Sequence, residues 1–77
     1  MLLQHSVHAI IYPDDEDGYV AECPRLNAVT DGATLDEVFA NLREVVALAL
    51  EGENLAELGF AQNPVILVTV EVEPAIA

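Results

Sequence analysis

The stretch "TLDEVFANLREVVALALEG", Thr34 to Gly52, decides the fold because it carries the clearest helical period in the chain. Thr34 is a good N-cap and, with Glu37 three residues later, predicts a capping box. Asp36 and Glu37 favour a helix start because the helix dipole attracts negative charge there. We expect the helix to end near Glu51, before Gly52. Its apolar residues recur at intervals of three and four and predict one buried stripe: Leu35, Val38, Phe39, Leu42, Val45, Val46 and Ala49.

Segments rich in β-branched and aromatic residues lie on both sides of this helix and predict strands. Turn signals separate them at Asp17-Gly18 and Asp31-Gly32, and prolines 13, 24 and 74 stop them. The segment "ENLAELG" predicts one short helical turn ending at Gly59. The predicted strands are His5–Tyr12, Tyr19–Cys23, Ala28–Thr30 and Val65–Val72.

The resulting order β-β-β-α-β fixes most of the topology. Three strands joined by short turns must be antiparallel neighbours, and the helix then returns the chain through a right-handed crossover. The last strand can lie beside the first strand and parallel to it. We therefore predict one α+β domain, residues 1–77, with sheet order 3-2-1-4 and one helix on one face. This order is that of the ribonuclease H core.

The last predicted strand is apolar on both sides, with Val65 and Leu67 opposite Ile66 and Val68. A sheet with one solvated face should alternate more cleanly. Either another chain covers part of the second face or an edge, giving a dimer or tetramer, or the strand boundaries differ from those predicted. Self-association is our expectation.

The charge balance restricts the possible partners. The 77 residues are 53% hydrophobic and carry a net charge of -12, with fourteen carboxylates against Arg25 and Arg43. Two arginines cannot form a phosphate-binding surface, so we expect neither direct nucleic-acid binding nor membrane adhesion. A basic protein partner fits electrostatically, although the acidity could equally serve only solubility. A single cysteine and the lack of a signal peptide predict a cytoplasmic protein.

The residues that often carry chemistry do not converge in this sequence. His5 and His8 point to opposite sides of a strand, and Cys23 lacks the electropositive setting of a reactive thiol. Glu22 stands alone on strand 2, and Glu71 and Glu73 lie at the end of the last strand. We therefore predict no catalytic residue, no metal site and no cofactor, hence no enzyme. A residual metal-dependent nuclease stays as the minor alternative.

One run of the sequence resembles the HicB-like antitoxin family. The run is "DGYVAECPRLNAVTDGATLDEVFANLREVVALALE", and its order of motifs carries the resemblance. The family shows an aspartate-glycine turn, a "Y-x-A-x-x-P" strand, a glycine-threonine step and "x-E-A-x-x-N" on the helix. The matching positions here are Asp17-Gly18, Tyr19 to Pro24, Thr30 to Gly32, Thr34, and Glu37 through Asn41. The chain departs at Leu26-Asn27-Ala28, where the family often has proline-glycine-cysteine, and at Val38, usually alanine.

The resemblance implies a reduced ribonuclease H-like fold without its active site. It also implies a non-enzymatic antitoxin that binds and neutralises a small basic HicA-like toxin, which cleaves messenger RNA through a histidine. Many family members carry a C-terminal DNA-binding segment, whereas "EPAIA" alone follows the last predicted strand, so the chain resembles the stand-alone form. An orphan homo-oligomeric module of unknown ligand is the alternative. The toxin-contacting residues that we predict, unless they form only a solvated hairpin tip, are Asp14, Asp15, Glu16, Asp17 and Glu22.

Overall fold

The computed structural model describes residues 2–75 and contains one four-stranded sheet with one long helix. The sheet order is β3-β2-β1-β4; β1 pairs antiparallel with β2 and parallel with β4, and β2 pairs antiparallel with β3. The predicted α+β architecture and strand order are therefore confirmed. The elements are β1 (Gln4–Pro13), β2 (Tyr19–Cys23), a 3-10 turn (Pro24–Leu26), β3 (Ala28–Gly32), α1 (Leu35–Leu50) and β4 (Phe60–Val70).

The helix begins and ends where its sequence signals predict. The Thr34 hydroxyl accepts a hydrogen bond from the Glu37 backbone N–H at 3.1 Å, which satisfies one of the free donors of the first turn. Glu51 is the C-terminal cap, and Gly52 follows in the left-handed region with φ of 75°. Val38, Leu42 and Val46, from the predicted stripe, are buried. Within residues 2–75 no helix has the length and apolarity needed to cross a bilayer.

The core lies between α1 and one face of the sheet. The strands contribute alternate residues to it, as the period of two requires. Burying these apolar side chains is the main favourable term in folding. We call the opposite, solvent-facing side of the sheet the open face. The buried core residues are Val7, Ala9, Ile11, Ala21, Cys23, Ala28, Val38, Leu42, Val46 and Phe60.

Three of the predicted bounds of the first and third strands differ from the structure. Strand β1 extends one residue further at each end than His5–Tyr12. Strand β3 continues through Asp31 and Gly32, which were predicted to form a turn. Gly32 pairs instead with Tyr19, so cross-strand pairing overrides the local turn signal of the Asp-Gly dipeptide.

The predicted bounds of the last strand, Val65–Val72, were wrong. Strand β4 spans Phe60–Val70 and contains an irregularity: Gln4 pairs with Phe60, but Ser6 pairs with Val65. Asn63 adopts φ of 54° within this bulge, and Pro64 follows it. Proline lacks an N–H donor and is tolerated at bulges and on edge strands, and β4 is an edge strand. Pro64 therefore lies at a bulge inside the strand and not before its start.

A single helical turn precedes β4, as predicted for "ENLAELG". The Phe60 N–H donates to the Leu55 carbonyl at 2.8 Å and the Gly59 N–H to the Ala56 carbonyl at 3.0 Å. Together with φ of 89° at Gly59, these bonds form a Schellman motif. After this turn the chain lies beside the start of β1, where the Gln4 N–H donates to the Gly59 carbonyl at 2.8 Å.

Candidate partner-binding surface

The loop between β1 and β2 presents carboxylates at one end of the sheet. The Asp14 N–H donates to the Gly18 carbonyl at 3.0 Å and closes the loop. The Asp14 carboxylate also accepts the Asp15 N–H at 2.8 Å. Asp17 and Gly18 have φ of 70° and 86°, values that aspartate and glycine adopt more readily than most residues. The predicted hairpin is confirmed, and its backbone holds the acidic side chains in place.

Two shallow clefts meet at this loop. One, of about 640 Å³, is lined by Asp14, Asp15, Asp17 and Glu73 together with uncharged neighbours. A smaller one, of about 200 Å³, shares Asp14 and Asp17 and adds two further carboxylates from β3 and α1. Neither arginine of the chain lines either cleft. We define the acidic end by its six carboxylates: Asp14, Asp15, Asp17, Asp31, Glu37 and Glu73.

The structure groups three of the five predicted contact residues. Asp14, Asp15 and Asp17 line the clefts together. Glu16 is exposed at the loop but lines neither of them. Glu22 lies farther along β2, half-buried on the open face, opposite Ile10 of β1. Glu22 is therefore separate from the acidic end.

Sequence reasoning missed half of the acidic end. Asp31 pairs with Val20, one position from the hairpin, because β3 continues past its predicted end. Glu37 comes with the first turn of α1, which follows β3 directly. Glu73 reaches the same cleft because β4 runs parallel to β1, and both strands end at the hairpin. The predicted parallel pairing of the last strand with the first already implied the position of Glu73.

Gly32 allows the helix to approach the sheet closely at this end. A Cβ atom at Gly32 would lie 2.5 Å from the Val38 backbone nitrogen and 2.8 Å from its Cα. A Cβ at Gly18 would lie 2.7 Å from the Gly32 carbonyl oxygen. Both glycines thus permit backbone contacts that any side chain would block. They bring the hairpin, β3 and the start of α1 together.

Asn41 ties the helix to the same strand. Its side-chain Nδ2 donates to the Asp31 carbonyl oxygen at 2.7 Å. This bond spans the gap between the second turn of α1 and the end of β3. Because the acceptor belongs to Asp31 itself, the contact fixes the backbone that carries one of the six carboxylates.

The open face holds a second, smaller acidic group around Tyr12. Burial, followed by the negative charge of Glu22 and its hydrogen bond to the phenol, raises the Tyr12 pKa, and the charges of Asp14 and Glu71 raise the pKa further. The phenol therefore stays protonated beside these carboxylates. Within residues 2–75, no three histidine, cysteine or carboxylate side chains are grouped closely enough to hold a metal ion.

The histidines and the cysteine have separate settings. The His8 ring Nε2 lies 2.8 Å from the Thr69 hydroxyl, which links β1 to β4 on the open face. His5 is exposed near the start of β1. Cys23 is fully buried, and burial raises the pKa of its thiol, an effect that a hydrogen bond with the Leu26 backbone partly offsets. The structure does not bring these three residues together.

The two arginines lie away from the acidic end. The Arg25 guanidinium stacks over the Phe60 ring, 4.7 Å from its centroid, and donates to the Leu58 carbonyl at 2.6 Å. This cation-π contact anchors the turn before β4. Arg43 is exposed on α1, beside a groove between the helix and β4. Neither positive charge offsets the acidic end locally.

Comparison with known proteins finds one informative similarity. The chain is 46% identical over 44 residues to the UPF0150 protein ssr1258 of Synechocystis sp. (strain ATCC 27184 / PCC 6803 / Kazusa). The match covers 54% of this chain and 64% of that protein, so the aligned region is less than two thirds of its length. No family model and no solved structure matches the chain.

Proposed function

We propose that this chain is a non-enzymatic, HicB-like antitoxin that binds a small basic toxin and blocks its access to RNA. The acidic end supplies the contact surface, and the toxin's cationic RNA-binding face is the complementary one. Complementary charge speeds the encounter and fixes the orientation of the partners. On this proposal the protein acts in the cytoplasm, where the toxin's messenger RNA substrate is found.

The observation that carries the proposal is the grouping of six carboxylates around two joined clefts, with no cation lining them. In sequence these acids are spread from residue 14 to residue 73. A chance surplus of acids for solubility needs no such convergence. A surface that binds a cationic partner does need it, since close charges of one sign sum to a stronger local field.

The family resemblance also supports the acidic end as the contact surface. Three residues that carry it, Gly18, Gly32 and Asn41, make contacts that hold the hairpin, β3 and α1 together, and a fourth, Thr34, caps the start of α1. The HicB-like motif is thus a set of structural residues that shape the acidic end. The similarity to a UPF0150 protein supports the same family assignment, since UPF0150 is a HicB-like group.

Co-expression with a small basic HicA-like ribonuclease, the partner that the proposal requires, tests the proposal. We expect the chain to restore growth, to co-purify with that protein, and to stop RNA cleavage by the purified enzyme. An unrelated basic ribonuclease of similar size serves as the control, because attraction by charge alone would inhibit both enzymes. Failure to rescue and to co-purify would refute the antitoxin function. Equal inhibition of both ribonucleases would refute specific recognition.

A further inference from the structure

We infer that the outer edge of β4 is a self-association surface, on which a second copy of this chain adds its own β4 in antiparallel orientation. β4 is the last strand of the sheet, and no strand of residues 2–75 pairs with its outer side. Two sheets joined in this way would form one continuous sheet of eight strands around a two-fold axis. This inference does not depend on toxin binding.

The backbone of β4 offers alternate residues for this pairing. The N–H of Glu71, just after the strand, donates inward to the Ile11 carbonyl of β1 at 2.8 Å. Hydrogen-bonding direction alternates along a strand, so Leu67 and Thr69 also direct their backbone groups toward β1. Ile66, Val68 and Val70 then direct theirs outward. An exposed row of unpaired groups is a template for another strand.

Apolar side chains line both sides of this edge. On the open face, Val65 is 64% exposed and Leu67 is 57% exposed. On the helix side, α1 lies mainly over β3 and β2 and leaves an apolar groove of about 530 Å³ beside β4. Phe39, Leu42 and Val68 are among the residues that line it. A strand added at the edge would cover apolar surface on both sides of the sheet.

The lack of charge on β4 makes this edge the place where a second copy of the acidic chain can approach. Two chains of net charge -12 repel each other over most of their surfaces. The eleven residues of β4, Phe60–Val70, include no charged residue. Like charges placed opposite each other destabilise an interface, so an uncharged edge is where two such chains can approach. A basic partner would have no electrostatic attraction to this uncharged edge and would bind the acidic end instead.

Sedimentation equilibrium of the full chain tests the inference, with two variants of matched charge. Leu67→Glu places a carboxylate on the open face of β4. Val29→Glu places one on the same face at the opposite sheet edge, where Val29 is 62% exposed. We expect a dimer for the unmodified protein at micromolar concentration. We expect Leu67→Glu to raise the dissociation constant by about 100-fold and Val29→Glu to leave it unchanged.

Amide hydrogen exchange provides a second, independent measurement. In the dimer the N–H groups of Ile66, Val68 and Val70 should be protected, and in the Leu67→Glu monomer they should exchange fast. The N–H groups of residues 67 and 69 should stay protected in both proteins, which also shows that the variant is folded. A monomeric unmodified protein would overturn the inference. So would a dimer that only Val29→Glu dissociates, or one in which the three outward amides exchange fast.

Discussion

Single glycines set the geometry of the acidic end. The Asp-Gly dipeptide occurs twice, and the sequence predicted a turn at both positions. At residues 17 and 18 the turn forms, because both residues have positive φ. At residues 31 and 32 the strand continues, because Gly32 pairs with Tyr19 and lets Val38 approach. Local turn chemistry cannot distinguish these two cases, since the deciding contact comes from a helix that follows later in the chain.

Replacing Gly32 by alanine tests this contact. The new Cβ would lie 2.5 Å from the Val38 nitrogen, so α1 must shift away from β3. We expect the free energy of unfolding to fall by about 2 kcal/mol, as for other overpacked sites. Gly52→Ala is the matched control, because its positive φ adds strain but no atom lies within 4 Å. Urea unfolding measures both losses of stability. A loss for Gly32→Ala no greater than that for Gly52→Ala would contradict the role assigned to Gly32.

The buried thiol of Cys23 predicts a pH dependence of stability. Burial raises its folded pKa above the ordinary value of about 9. The neutral thiol therefore contributes its full stability below that value, and the contribution is lost as pH rises toward the folded pKa. The urea concentration at the unfolding midpoint should fall more steeply with pH, between pH 7.5 and 9.5, for the unmodified protein than for Cys23→Ala. Parallel slopes would show that the thiol does not titrate differently in the folded state.

At the scale of elements, the helix was predictable and the last strand was not. The helix is specified by its own cap and apolar period, which are local. The bounds of β4 depend on a bulge at Asn63 and Pro64 that forms only against β1. The same pairing extends β4 back to Phe60, whose ring packs under Arg25. Neither the pairing with β1 nor the contact with Arg25 can be read from the residue pattern around Pro64.

The attachment of α1 to β3 should depend on Asn41. Asn41→Ala removes the donor to the Asp31 carbonyl and should lower the free energy of unfolding by about 1 kcal/mol. Gln62→Ala, at an exposed position of β4, removes a similar side-chain amide with no such bond among the described residues and should have little effect. Equal effects of the two substitutions would show that the Asn41 bond adds no measurable stability.

At the scale of the whole molecule, the chain is less compact than its length predicts. Its radius of gyration is 13.9 Å, whereas a compact domain of this length is expected at about 11 to 12 Å. The sequence showed an apolar excess on both sides of the last strand and predicted the acidic loop, but it did not predict the carboxylates that topology adds to that loop. The surfaces that partners can reach depend on which side chains are exposed. That exposure is set by the assembled fold and not by the sequence pattern alone.

The most direct test of the antitoxin proposal is a calorimetric titration with a catalytically inactive variant of the HicA-like ribonuclease that the proposal requires. Asp14→Asn, Asp15→Asn and Asp17→Asn together remove three charges at the acidic end. Glu51→Gln, Glu53→Gln and Glu57→Gln remove three exposed charges near the opposite end of the sheet. We predict that the first set weakens binding at least about tenfold, less at high salt, and that the second set changes it by less than about twofold. Equal effects of the two sets, or no binding by the unmodified chain, would contradict the proposal.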